Sequence, residues 1–99
     1  MERVAEPEVR PMIAVHFGDG AEGYAVAFDG AVIECVVSVP QAPGRPVEVV
    51  LQLGDGAMTL RTRSRGSRRV DDGRFQVNLR PVALRREERT RLEATFAAK

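Results

Sequence analysis

The chain has 99 residues, of which 43% are hydrophobic and 29% are charged, a composition typical of one small globular domain. Its 15 basic and 14 acidic residues leave a net charge of +1, so no overall field directs it to nucleic acid or to a membrane surface. The lack of Trp and the aromatic content of 5% argue against a stacking platform for single-stranded nucleic acid. The single cysteine excludes an internal disulfide bond.

The beginning of the chain predicts an arm rather than a targeting segment. Residues 1–8 are polar and include Pro7, so we expect a flexible arm there and one domain over residues 9–99. The arm lacks the apolar stretch of a signal peptide, and no apolar run in the chain approaches the ~20 residues of a membrane span. We therefore expect a cytoplasmic protein without membrane insertion.

Alternation of apolar residues predicts the first three strands. Apolar odd positions predict a strand over residues 9–17, and Tyr24, Val26 and Phe28 alternate with alanines in a second strand. A third strand is expected over residues 31–39. Its apolar face comprises Ile33, Cys35, Val37 and Val39.

Two further strands are predicted after a proline-rich loop of residues 40–46. The residues on one face of the fourth strand are Val47, Val49, Leu51 and Leu53. The residues on one face of the fifth strand are Met58, Leu60 and Thr62. The residues on its other face are Thr59, Arg61, Arg63 and Arg65. Residues 66–73 are polar and basic, so we expect a loop there, with room for a short extra strand around residues 68–70.

The last third of the chain predicts a strand followed by a helix. Phe75, Val77 and Leu79 alternate with polar residues, and Pro81 ends the strand because it has no N–H group to donate. Residues 84–96 contain neither Gly nor Pro and are mostly good helix formers. The residues that share one side of this helix, and so can pack on a sheet, are Leu84, Leu92 and Phe96.

Four Asp-Gly pairs separate the predicted strands and tolerate the positive φ angles of tight hairpin turns. They begin at Asp19, Asp29, Asp55 and Asp72. Strands about ten residues apart, with turns between them, predict a meandering antiparallel barrel or sandwich. We favour a barrel because closure removes exposed strand edges, and the helix would then cap one open end.

No set of residues predicts catalysis, a metal site or a cofactor. Cys35 lies in an apolar run, so we expect a buried small hydrophobe rather than a nucleophile. His16 is expected on the solvent face of the first strand, with no cysteine near it in the sequence. Residues 18–23 fit the letters of a dinucleotide fingerprint, but no βαβ context surrounds them, and Asp19 and Glu22 would repel phosphate. We therefore expect a protein that is not an enzyme and has no cofactor.

The one unusual surface feature is a set of arginines on the last two predicted strands. Five arginines lie within nine residues, and two more belong to the last strand: Arg61, Arg63, Arg65, Arg68 and Arg69, then Arg74 and Arg80. The first three share the exposed face of the fifth strand. The planar guanidinium group suits carboxylates and phosphates. Two interpretations stay open at this point: a charged strand surface that blocks aggregation, and a recognition surface for an acidic partner or a nucleotide.

The order of the elements resembles that of the PilZ family. Four parts of the chain carry this resemblance, and together they cover almost all of it from Arg10 onward. They are Arg10, the hairpin into residues 27–32 (AFDGAV), residues 43–51 (PGRPVEVVL), and residues 73–79 (GRFQVNL) followed by residues 85–92 (RREERTRL). The resemblance implies an all-β fold, a six-stranded antiparallel barrel with a C-terminal α-helix.

Many PilZ domains bind cyclic di-GMP through two motifs, and both are degenerate in this chain. The first motif is Arg-x-x-x-Arg, and with Arg10 as its second arginine, Glu6 stands in place of the first. The second motif is Asp/Asn-x-Ser-x-x-Gly, which supplies polar contacts and a close backbone approach. Its three positions here are Ala27, Asp29 and Val32. We therefore do not expect either motif to bind the nucleotide.

Together, these features predict a non-catalytic, PilZ-like signalling and interaction module that acts in bacterial motility or polarity control through protein partners. The expected partner-binding residues are Arg61, Arg63, Arg65 and Arg80. Neither cyclic di-GMP nor nucleic acid is an expected ligand. The alternative is a sensor of cyclic di-GMP or another anionic nucleotide, which would bind atypically through Arg10 and the strand arginines.

Overall fold

The computed structural model describes residues 12–54, 56–71 and 73–97. Within them, six β-strands and one α-helix follow one another along the chain. The strands are β1 (Ile13–Phe17), β2 (Glu22–Phe28), β3 (Ile33–Val37), β4 (Pro46–Leu53), β5 (Gly56–Asp71) and β6 (Arg74–Pro81), and the helix is α1 (Arg86–Ala97). The predicted arm of residues 1–8 and the first part of the predicted first strand lie outside the described residues.

The six strands form a closed antiparallel barrel in the order β1-β2-β3-β6-β5-β4. The barrel prediction is confirmed, but the chain does not meander all the way round. Two three-stranded meanders are joined at two seams, where β3 pairs with β6 and β1 pairs with β4. The connection from β3 to β4 crosses one end of the barrel. The two seams pair the edge strands of both meanders.

The barrel interior is filled by alternate residues of every strand. Core residues from four different strands, including Val15, Cys35, Leu51 and Leu79, have no solvent exposure. The predicted inward face of the fifth strand is confirmed, and its Thr62 hydroxyl donates a hydrogen bond of 2.7 Å to the Val47 carbonyl. Full burial of a large apolar side chain stabilises the fold by about 1.5–3 kcal/mol, so this core holds the strands in register.

The second and third strands depart from simple alternation. Tyr24 points outward and Ala25 points into the interior. A bulge at Val26 then shifts the register of β2 against β3. Beyond the bulge Phe28 packs against the core. The prediction that Val39 shares the apolar face of the third strand is wrong, because β3 ends at Val37.

Strand β5 is a single strand of 16 residues. The predicted loop over residues 66–73, with its short extra strand, is wrong, because β5 stays paired with β6 as far as Asp71. A bulge interrupts this pairing where Arg65 and Gly66 together oppose Asn78. Gly66 has a φ angle of +106°, a conformation that favours glycine, so the strand bends here without ending.

Helix α1 packs on the barrel, beside β2. Leu92 is fully buried and Phe96 packs against the core, as the sequence predicts. The predicted start of the helix is wrong, because α1 begins at Arg86 and Leu84 packs against the core from the connection before it. An Arg89 guanidinium N–H donates to the Gly30 carbonyl and ties the helix to the turn between β2 and β3. No helix in the described part of the chain is both long enough and apolar enough to cross a membrane.

Candidate functional site

Four exposed arginines lie together on the outer side of β5 and β6. They are Arg61, Arg63, Arg65 and Arg80, and we call them the arginine wall. The three on β5 point outward because Met58, Leu60 and Thr62 on the same strand point into the core. The structure therefore brings together all four of the predicted partner-binding residues.

The arginine wall is poorly neutralised by its surroundings. Arg63 lies directly opposite Arg80 in the pairing of β5 with β6, and like charges in opposite positions destabilise a sheet. Arg61 lies opposite Glu48 of β4, but their charged atoms form no ion pair. Among the described residues, Arg61, Arg65 and Arg80 form no side-chain hydrogen bond and no close ion pair, so their guanidinium groups are available to a ligand. Arg65 is close enough to Asp29 for its charge to help lower the pKa of that carboxylate.

An open groove lies beside the arginine wall, at the bulge of β5. It has a volume of about 780 Å³, and we call it the bulge groove. Its lining residues are Pro40, Gln41, Ala42, Pro43, Arg65, Gly66, Ser67, Arg68, Gln76 and Asn78. The groove forms where the loop of residues 40–43 lies next to Gly66 of β5, which carries no side chain.

Hydrogen bonds hold this loop against β5. The Ser67 hydroxyl accepts from the Gln41 N–H (3.2 Å) and donates to the Gln41 carbonyl (3.1 Å). The Gly44 N–H donates to the Ser64 carbonyl (2.6 Å), and the Ser64 N–H donates to the Arg45 carbonyl (2.9 Å). Arg63 adds a hydrogen bond of 2.9 Å from its guanidinium to the Gly44 carbonyl. The loop is therefore a fixed wall of the groove.

A second set of contacts fixes the other side of the loop. The buried Gln41 side chain donates to Asp19 Oδ2 (3.2 Å), and Arg45 Nη2 lies 3.9 Å from the same oxygen. Asp19 Oδ1 accepts from the Ala21 N–H (2.9 Å). The Ala21 N–H, followed by the Gln41 amide and the Arg45 charge, holds the pKa of Asp19 below its ordinary value, against the opposing effect of burial.

The degenerate nucleotide-motif positions do not form a ligand site of their own. Ala27 and Val32 are half-buried on either side of the turn between β2 and β3. In that turn, Asp29 Oδ1 accepts from the N–H groups of Ala31 and Val32, both at 2.8 Å. These bonds lower the pKa of Asp29 and engage the carboxylate in the turn itself. The positions Glu6 and Arg10 lie outside the described residues.

The remaining reactive side chains form no catalytic arrangement in the described residues. Cys35 is fully buried, as predicted, and burial raises the pKa of its thiol to about 12, so it is a poor nucleophile. His16 is exposed, with Nδ1 3.3 Å from Glu22 Oε2. The described residues include no group of three His, Cys, Asp or Glu side chains that could hold a metal ion.

Sequence reasoning missed the bulge groove and the contacts that build it. Gly66 inside an otherwise strand-like pattern was the available signal, since an isolated glycine in a strand often marks a bulge. No local pattern indicates that Gln41 contacts Ser67, which is 26 residues away in the sequence. The sequence therefore places the arginines correctly but not the loop beside them.

Comparisons of this chain with protein-family models, curated proteins and solved structures find no match. The coarse architecture that the PilZ resemblance implies, a six-stranded antiparallel barrel with a C-terminal helix, is present. Membership of that family stays a prediction made from the sequence.

Removal of the Asp19 carboxylate should loosen the loop that walls the groove. Asp19→Ala removes the shorter of the two hydrogen bonds of the buried Gln41 amide and leaves the longer one, of 3.5 Å, to the Val39 carbonyl. We therefore expect a loss of about 1–2 kcal/mol in the free energy of unfolding at pH 7. Because folding lowers the pKa of Asp19, its contribution is complete above the ordinary carboxyl pKa and is lost as pH falls below about 4.

Urea unfolding of the wild type and of Asp19→Ala at pH 7 and pH 3 measures both effects. The stability difference between the two proteins should be clearly smaller at pH 3. Equal stability at pH 7, or a difference that does not change with pH, would contradict the role assigned to this carboxylate.

Proposed function

We propose that this protein is a non-catalytic interaction module that binds a protein partner through the arginine wall. The observation that carries the proposal is the position of Arg63 directly opposite Arg80 on the exposed side of β5 and β6. Like charges in this arrangement oppose folding, whereas an acid in either position would favour it. Local features that work against stability are typical of functional sites.

The chemistry of the wall supports a protein partner. Arginine is enriched at protein interfaces because its stem packs on apolar surface while its guanidinium group forms several hydrogen bonds. Three members of the wall, Arg61, Arg65 and Arg80, make no such bonds within the described part of the chain. They can therefore be paired by carboxylates of a partner with little loss of existing contacts.

We further propose that the module is of PilZ type and acts in the cytoplasm in bacterial motility or polarity control without binding cyclic di-GMP. The barrel with its terminal helix supports this, as do Glu6 at the position of a motif arginine and the engagement of Asp29 in its own turn. The second candidate is an anionic nucleotide sensor that binds through Arg10 and the strand arginines. The available guanidinium groups of the wall favour this alternative.

Reversal of charge on the arginine wall should abolish partner binding and leave the fold intact. Arg65→Glu with Arg80→Glu removes no hydrogen bond or ion pair within the described residues, so stability should fall by no more than about 0.5 kcal/mol. An acid at position 80, opposite Arg63, favours folding and works against any such loss. The tagged wild type and the double variant are compared by affinity capture from cells that express the chain naturally. We expect proteins captured by the wild type to be lost with the variant.

Arg86→Glu, in the first turn of α1 and away from the wall, controls for charge reversal at an exposed arginine. It should capture the same proteins as the wild type. A folded double variant that also captures those proteins would remove the arginine wall from consideration as an interaction surface.

Calorimetric titration with cyclic di-GMP separates the two candidate functions. The missing first arginine of the phosphate-binding motif takes away charge-assisted hydrogen bonds of roughly 1.5–3 kcal/mol each, so we expect no binding at tens of micromolar. Saturable binding with a defined stoichiometry would instead favour the nucleotide sensor. Loss of that binding in Arg65→Glu with Arg80→Glu would then assign it to the wall.

A further inference from the structure

Several hydrogen-bond donors of the bulge groove are available to a ligand, whereas the side-chain carbonyl oxygen of the lining residue Gln41, which has no partner among the described residues, is buried. Arg65 has no hydrogen bond within the described residues, and Arg68 uses one guanidinium N–H to donate to Gln76 Oε1 at 2.8 Å. That bond occupies the Gln76 carbonyl and leaves its amide N–H groups without a partner among the described residues. The half-buried Asn78 side chain likewise has none there. A ligand for this groove must therefore supply several acceptors.

The charge of the groove favours acceptors that are anionic. Its two charged lining residues, Arg65 and Arg68, are both basic. Glu34 lies opposite Asn78 in the pairing of β3 with β6, and Asp29 is close enough to interact with the charge of Arg65, but neither acid lines the groove. Carboxylates or phosphates would thus complement the groove without facing an acidic residue in its lining.

The shape of the groove favours a segment of a protein chain over a nucleotide. No aromatic side chain lines it, so a base would find no aromatic ring on which to stack. Small-molecule sites are mostly apolar and enclose their ligand, whereas this groove is open and its lining is largely polar. An extended chain can lie along such a surface and direct acidic side chains towards the arginines.

The groove is also built in advance of binding. Its loop is held by the paired hydrogen bonds between Ser67 and Gln41, and by Asp19 on the other side. The bulge at Gly66 leaves the floor free of a side chain, and the Pro43 ring stands close to it, 3.5 Å from the place of a Cβ. Preformed walls reduce the ordering that binding would otherwise require.

We infer that the bulge groove receives an extended acidic segment of the protein partner, whose carboxylates pair with Arg65 and Arg68 and accept from the amides of Gln76 and Asn78. This inference rests on the proposed function and adds the chemistry of the partner and a binding site next to the arginine wall. Arg65 belongs to both surfaces and joins them.

An NMR titration of the ¹⁵N-labelled chain of 99 residues tests the inference directly. The probe is a synthetic ten-residue peptide in which Glu and Ser alternate, and a peptide of alternating Gln and Ser is its uncharged match. We expect the acidic peptide alone to shift the side-chain amide signals of Gln76 and Asn78 and the backbone signals of Gly66 and Ser67, saturably. The affinity should fall as salt is added.

Variants assign the binding to the groove. Arg68→Glu should weaken binding at least about tenfold, since it removes a charge-assisted contact, and the uncharged change Asn78→Leu should weaken it about threefold or more. Arg86→Glu, which makes the same charge change on α1, should have little effect. Equal weakening by Arg86→Glu and Arg68→Glu would reduce the binding to general electrostatics and overturn the inference.

Other outcomes overturn it in ways that leave the proposed function separately testable. If the signals show no saturable shifts up to about 1 mM peptide, the Kd is weaker than about 1 mM. That result would exclude an acidic segment as the ligand of the groove. Shifts confined to Arg61 and Arg80 would place the segment on the wall and outside the groove. Cyclic di-GMP that produces the same shifts at lower concentration would make the groove a nucleotide site. In each case, the capture experiment with Arg65→Glu and Arg80→Glu still decides whether the wall binds a protein.

Discussion

Closure of the barrel at two seams is the constraint on which the rest of the structure depends. Side chains alternate between the two faces of a strand, so a shift of one residue in the pairing of β5 would exchange its core for its surface. The pairing of β3 with β6 and of β1 with β4 leaves one closed interior, and Leu51, Val77 and Leu79 fill it without solvent exposure. The same register of β5 also directs its arginines outward.

The bulge in β5 is the local exception that turns a charged wall into a shaped surface. At the bulge, two residues of β5 lie opposite one residue of β6, which interrupts the regular hydrogen-bond ladder. Gly66 provides the positive φ angle that this interruption requires. The loop after β3 comes against this point, where Ser67 pairs with the backbone of Gln41. Repulsion between Arg63 and Arg80 is tolerated beside it because the core stabilises the barrel independently of the wall.

The sequence predicted those features that follow from local periodicity. Alternation from Met58 to Ser64 placed the core and the arginines on their proper sides, because the pairing is regular there. Arg65 begins the bulge and is exposed as predicted. It failed in β2, where the bulge at Val26 interrupts the period, and around Gly66, where a bulged strand looks like a loop. Contacts such as that of Gln41 with Asp19 join residues distant in the chain and leave no local pattern to read.

Observation of both barrel seams in solution tests this account most directly. Proton–proton contacts in NMR spectra should join Cys35 to Val77 across one seam and His16 to Val50 across the other. Both sets of contacts are expected, with slow amide exchange on the strands that form them. Loss of either set would mean an open sheet, and the placement of the arginines on one outer wall beside the bulge groove would then be wrong.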